Sequence, residues 1–148
     1  MKKTASVLLL SLMLATPLTG QALRVPCGGY MAGTKRDSIK HVLDIYEAAY
    51  KKEGFVVTKR KLEQDVAQLE ATLIVASSPY QMEVSERFDF GESANIKGIH
   101  HCATSTAIKE PKEYDAKQRN AYVSKFEDSL RAIEKDIDLR LKKEFSKE

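Results

Sequence analysis

The sequence predicts an α+β domain: an N-terminal helix, an antiparallel β-meander of three or four strands, and a long C-terminal amphipathic helix. Three observations lead there. Apolar residues at helical spacing occupy residues 34–54, a two-residue alternation runs from Met82 to Phe90, and an apolar stripe of period near 3.6 extends from Tyr122 to Phe145. A mostly α arrangement with one β-hairpin is the alternative, because residues 59–71 fit a helix or a strand.

The chain opens Met1-Lys2-Lys3, continues through the nine-residue apolar core Val7–Ala15, and leaves through Gly20-Gln21-Ala22. A positive start, a short apolar core and a small-residue exit predict a secretory signal peptide over residues 1–22. The core is too short to span a bilayer, which takes about 20 apolar residues. The opening "MKKTA" resembles Gram-negative export signals, which implies a periplasmic or secreted product. Lipid attachment at Cys27 is not expected, since Arg24, Val25 and Pro26 precede it where small residues and a leucine would be needed.

Cleavage after Ala22 would leave 126 residues, 23–148, enough for a single α+β domain with one modest core. The 24 basic and 21 acidic side chains give a net charge of +3, which falls to about +1 without Lys2 and Lys3. So even a balance argues against nucleic acid as a partner. No second apolar stretch has spanning length, so no transmembrane span is expected.

Within the domain, "LRVPCGGYMAGT" (Leu23–Thr34) is rich in Gly and Pro and reads as an irregular arm. Helix follows. Thr34 is placed to cap it, with Asp37 three residues on as the acidic partner. Ile39, Val42, Leu43, Tyr46, Ala49 and Tyr50 share one face, Lys51 and Lys52 suit the C-terminal dipole, and Gly54 suits a left-handed exit.

The middle is ambiguous at first. Leu62, Val66, Leu69 and Leu73 have helical spacing, whereas Leu69, Ala71, Leu73 and Val75 alternate as in a strand. "SSP" signals a turn, and Met82, Val84, Phe88 and Phe90 then alternate with Glu83, Ser85, Arg87 and Asp89 as a half-buried strand. "GESANIKG" reads as a loop and "IHHCATSTAI" as a further strand. Pro111 suits the first turn of the last helix. Glu127 with Arg131, Asp136 with Arg140 and Asp138 with Lys142 supply pairs four residues apart.

The chemistry-bearing residues concentrate in "GIHHC". In an oxidising compartment the two cysteines, Cys27 and Cys102, are expected to form a disulfide. It would close a loop of about 75 residues, for which chain entropy gives roughly 4–5 kcal/mol. Adjacent strand residues point to opposite faces, so His100 and His101 do not converge on one ion. No metal or other cofactor is expected; zinc on His100 and His101 is the minor alternative. Among Glu83, Glu86, Asp89 and Glu92, alternation turns Glu83 and Asp89 outward, so a sheltered acid–base pair is not indicated.

Two surfaces are candidates for contact. Lys59, Arg60 and Lys61 make a basic patch suited to weak contact with an anionic surface. The last helix, over residues 112–145, would span about 50 Å, longer than strands of about 20 Å can cover. Its stripe Phe126, Leu130, Ile133, Ile137 and Leu141 is therefore expected to meet another protein or a second copy. The function expected is that of a small exported, non-catalytic binding protein stabilised by one disulfide. The alternatives are an envelope hydrolase using His100 or His101 with a carboxylate, and a structural helix-pairing protein.

Overall fold

A computed structural model describes residues 23–25, 29–32, 34–93 and 96–145. The element order is β1 (Leu23–Val25), β2 (Gly29–Ala32), α1 (Ser38–Lys52), β3 (Phe55–Leu62), β4 (Val66–Ile74), β5 (Gln81–Ser93), β6 (Ile96–Lys109) and α2 (Ala116–Phe145). The α+β class is as the sequence predicts. Strands β3 to β6 form a four-stranded antiparallel meander in chain order, with β1 and β2 both paired antiparallel to the outer edge of β6. The residues expected as an irregular arm thus include two strands, which pair an edge of β6 that would otherwise be open.

Helix α1 buries the face read from its spacing, Ile39, Val42, Leu43, Tyr46, Ala49 and Tyr50, together with Ile45. Its exit is also as expected, with Gly54 at φ 83°. Its entry is not. Asp37 holds the cap position without a side-chain hydrogen bond. The Thr34 hydroxyl instead accepts the Ile99 N–H of β6 at 2.8 Å. Thr34 is buried, so it fastens the approach to α1 onto the sheet.

Residues 59–62 and 66–71 are strand, joined by a turn at 63–65, which removes both the helical reading of that segment and the mostly α alternative. Along β4, Ala67, Leu69, Ala71 and Leu73 are all buried, and unbroken residue-for-residue pairing with β5 fixes the period at two, while on the β3 side the register steps once between Val57 and Lys59. A helix over the same residues would have put Leu62 on its buried face; Leu62 is 44% exposed. Lys59 pairs with Glu70 at 2.8 Å, Arg60 with Glu47 at 2.9 Å and with Asp44, and Lys61 with Glu63 at 2.6 Å. The expected basic patch is therefore charge-compensated.

Helix α2 starts at Ala116 rather than near Pro111. The cause is Asp115, whose carboxylate accepts the N–H groups of Lys117 at 2.8 Å and Gln118 at 3.0 Å. Of the expected pairs, Asp136–Arg140 at 2.9 Å and Asp138–Lys142 at 2.7 Å form, whereas Arg131 turns to Asp128. No helix among the described residues is long and apolar enough to cross a membrane.

The apolar stripe of α2 lies on the chain's own sheet. Phe126, Ile133 and Ile137 are buried, and Leu130 and Leu141 pack against the same core. The expectation of a protruding stripe assumed short strands, but β5 has 13 residues and β6 has 14. At about 3.3 Å per residue these reach roughly 45 Å, the length of a 30-residue helix at 1.5 Å per residue. The sheet is long enough to cover the helix. Beside it on the same face lies α1, joined to α2 by Lys52–Asp136 at 3.3 Å and His41–Glu144 at 3.1 Å.

Tyr122 anchors the start of α2. Its hydroxyl donates to the Leu73 carbonyl at 2.7 Å and accepts the Met82 N–H at 2.8 Å, bridging β4 and β5 where their connection begins. Tyr122→Phe removes both contacts and leaves two buried backbone groups short of a partner. The expected loss is about 2–4 kcal/mol in a denaturant titration, with unchanged m-value.

Candidate functional site

The site begins with a carboxylate on the apolar face of β5. Met82, Val84 and Phe88 are buried on that face, and the same parity brings Glu86 inward between them, 4% exposed. A charge so placed needs donors, since an unpaired buried carboxylate is very costly. Three arrive, from two other elements. Tyr50 of α1 donates its hydroxyl to Glu86 Oε1. Thr104 of β6 donates to Glu86 Oε2 at 2.7 Å, and His101 Nε2 lies 2.5 Å from the same oxygen. An ionised carboxylate only accepts, so Nε2 carries the hydrogen in that contact.

Strict alternation would send His101 and Thr104 to opposite faces, since they are three positions apart. A β-bulge brings them together. The β5–β6 register steps from Arg87↔Ala103 to Phe88↔His101, leaving Cys102 as the extra residue. The inward set on β6 accordingly reads Ile99 and His101 before the bulge and Thr104, Thr106 and Ile108 after it, opposite Phe90, Phe88, Glu86, Val84 and Met82. His101 is held in orientation by its neighbours. Its ring stacks on Phe88 with centroids 5.0 Å apart and meets Tyr46 at 5.6 Å.

Above this cluster the sheet and α2 separate into a cleft of about 290 Å³. Tyr46, Tyr50, Glu86, His101 and Thr104 form its floor and one wall. Helix α2 supplies the other wall with Leu130, Ile133, Ile137 and Leu141, and adds the carboxylates Glu134 and Asp138. Burial, the Glu86 charge and its hydrogen bond all disfavour a phenolate at Tyr50, whose pKa is held well above the usual tyrosine value. Tyr46 is raised as well, by burial first and then by the charges of Glu86 and Glu134. Both tyrosines thus stay neutral in ordinary solution, and Tyr50 remains a donor to Glu86.

The arrangement shares one negative charge among three donors. It does not form a relay of the kind used by a nucleophile, base and orienting acid. In such a relay the two ring nitrogens have separate partners, whereas here Nε2 meets both Glu86 Oε2 at 2.5 Å and Thr104 Oγ1 at 3.1 Å.

The other sequence candidates lie elsewhere. His100 is on the outer face, over Gly91, where an added Cβ would come within 3.0 Å of its Nε2. His41 pairs with Glu144 of α2 at 3.1 Å. Among the described residues no three His, Cys, Asp or Glu side chains group to hold a metal. Cys27 and the side chain of Cys102 lie outside the described residues. The flanking positions are described: Val25 pairs with Thr104 and Gly29 with His101, so β1 and β2 bracket Cys102 on β6. Glu86 and Tyr50 were not assigned to a site from sequence. For Glu86 the signal was present, since the alternation that turns Glu83 and Asp89 outward turns position 86 inward.

No family model matches the chain, and no curated protein does. Among solved structures it is similar to the crystal structure of the uncharacterized conserved protein YugN from Geobacillus kaustophilus HTA426. The two are 10% identical over 80% of this chain and 86% of that chain, with a TM-score of 0.36. A likeness of that size carries no functional argument.

The cluster makes stability sensitive to alkali in a defined sense. Tyrosine ionises near 10.0 in an unfolded chain, and Tyr50 ionises only well above that when folded. Its contribution is therefore intact below about pH 10 and falls as pH rises further, by about 1.4 kcal/mol per pH unit. Tyr50→Phe should cost roughly 2 kcal/mol at pH 7, the worth of a hydrogen bond to a charged group. Urea titrations from pH 7 to 11 should show the gap between wild type and variant constant up to about pH 10 and narrowing above it.

Proposed function

We propose that this chain is a small exported, non-catalytic binding protein, and that the cleft between the sheet and α2 takes a small ligand with an apolar body. The observation that carries the reading is the buried Glu86 cluster at the base of a cleft whose opposite wall is aliphatic. A mostly apolar pocket with a few convergent polar groups is the usual form of a small-molecule site. About 290 Å³ places it at the lower end of the range for such sites, so the ligand is small or extends out of the cleft. The shared use of His101 Nε2 favours binding over acid–base turnover.

The test is uptake of a neutral apolar dye. Nile red should gain fluorescence with saturable, one-to-one binding, and Leu130→Trp, which fills the aliphatic wall, should reduce its affinity by at least about tenfold, or 1.4 kcal/mol. A folded protein that takes up no dye would remove this reading.

Export and the Cys27–Cys102 disulfide belong to the same proposal. The leader-like pattern of residues 1–22 supports export, and the bracketing of Cys102 by β1 and β2 supports the bond. A disulfide there would clamp the added strands at the bulge that shapes the site. Protein recovered from the periplasm should have lost residues 1–22 and should take up no alkylating reagent by intact mass until it is reduced. Full-length product, or two thiols alkylated without reduction, would count against export and the bond respectively.

A further inference from the structure

Resting on the cleft reading above, we propose that the ligand is an organic ammonium: a cationic head seated against the tyrosine-lined floor, with an alkyl or similar apolar tail along α2. The argument is charge complementarity inside a shaped cavity. Glu86, Glu134 and Asp138 all line the cleft, and no lysine or arginine does. His101 is the sole lining residue able to carry positive charge, and it is already against Glu86 at 2.5 Å. Asp138 is compensated outside the cleft by Lys142 at 2.7 Å. Glu134 has no cation partner among the described residues, and its field reaches the floor, where it acts on both Tyr46 and Tyr50.

An anion entering here would meet Glu86 and Glu134 with no guanidinium or ammonium to receive it. A neutral apolar molecule would use the aliphatic wall and gain nothing from the Glu134 carboxylate. A cation gains from it, and Tyr46, which lines the cleft, adds the attraction of an aromatic ring for an alkylated ammonium. Tyr46 is fixed for that role by edge-to-face contact with Phe88, centroids 4.5 Å apart. Leu130, Ile137 and Leu141 then offer the tail a continuous wall.

Displacement of Nile red by three eight-carbon probes tests this: octyltrimethylammonium, 1-octanol and octanoate, each below its micellar concentration. The ammonium should compete at concentrations at least about tenfold lower than either of the others, a difference within the reach of one cation–π contact and one close charge. Glu134→Lys, a change on an exposed helical position, should erase most of that advantage while leaving octanol unchanged. If the dye binds and octanoate or octanol competes as well as the ammonium, the ammonium proposal is wrong and the cleft reading stands. If equal loss of all three probes follows Glu134→Lys, the charge argument is likewise wrong. If the wild-type protein takes up no dye and no probe, both proposals fall together.

Discussion

One buried carboxylate constrains most of this structure. Glu86 stands on the inner face of β5 among Val84, Phe88 and the core beneath α1, nearly without solvent. Lysine and arginine are not among its hydrogen-bonding partners, so neutral or weakly basic donors have to reach it, and they come from α1 and β6. That requirement ties three elements together in one place. It sets the rotation of α1, since Tyr50 must face β5, and it needs two inward donors on β6 that plain alternation could not supply.

The bulge at Cys102 satisfies the second requirement and shapes the sheet around it. An extra residue on one strand bends it and increases local twist. On the outer side of β6 the added strands change over at the same place: β1 pairs up to Thr104 and β2 resumes at His101. The sheet therefore has the same irregular point on both flanks of β6, and the cleft opens over it. Toward the other end α2 closes onto the sheet through Tyr122 and Phe126. One end of the interface is sealed, and the other is spread by polar side chains.

Much of the architecture was legible because it rests on periodicity. The faces of α1 and α2, the alternation of β5 and the Gly54 exit are local patterns that tertiary packing did not override. The misreadings have non-local causes. Thr34 looks like a cap, but a buried N–H on β6 claims its hydroxyl. Pro111 looks like a helix start, but Asp115 offers a better cap four residues later. Leu62, Val66, Leu69 and Leu73 fit a helix, but a turn parts Leu62 on β3 from the other three on β4, which β5 pairs along its length. The α2 stripe looks too long for the sheet because strand length cannot be read from a central loop signal: residues 91–93 and 96–98, expected as loop, continue β5 and β6. Half of the site was legible in principle, through the parity of Glu86. The other half was not, because no local pattern marks Cys102 as the residue that will stand unpaired.

The fold alone does not demand this polarity. Replacing a buried ionic cluster with apolar groups of like volume is often neutral or stabilising, by about 1–4 kcal/mol, whereas deleting one member is costly. A leucine at position 86 with apolar partners at 50, 101 and 104 would give β5 an unbroken apolar stripe and would need no bulge to aim donors. The arrangement present is harder to assemble and no more stable on that account, so its consequence has to be sought in what it exposes. His101 remains 23% exposed, and with Glu86 and Tyr50 it lines the cleft that α2 walls. A polar floor beneath an aliphatic wall selects ligands that are themselves two-sided, and the same inward parity on β5 and β6 creates both the need for donors and the place where a ligand can use them.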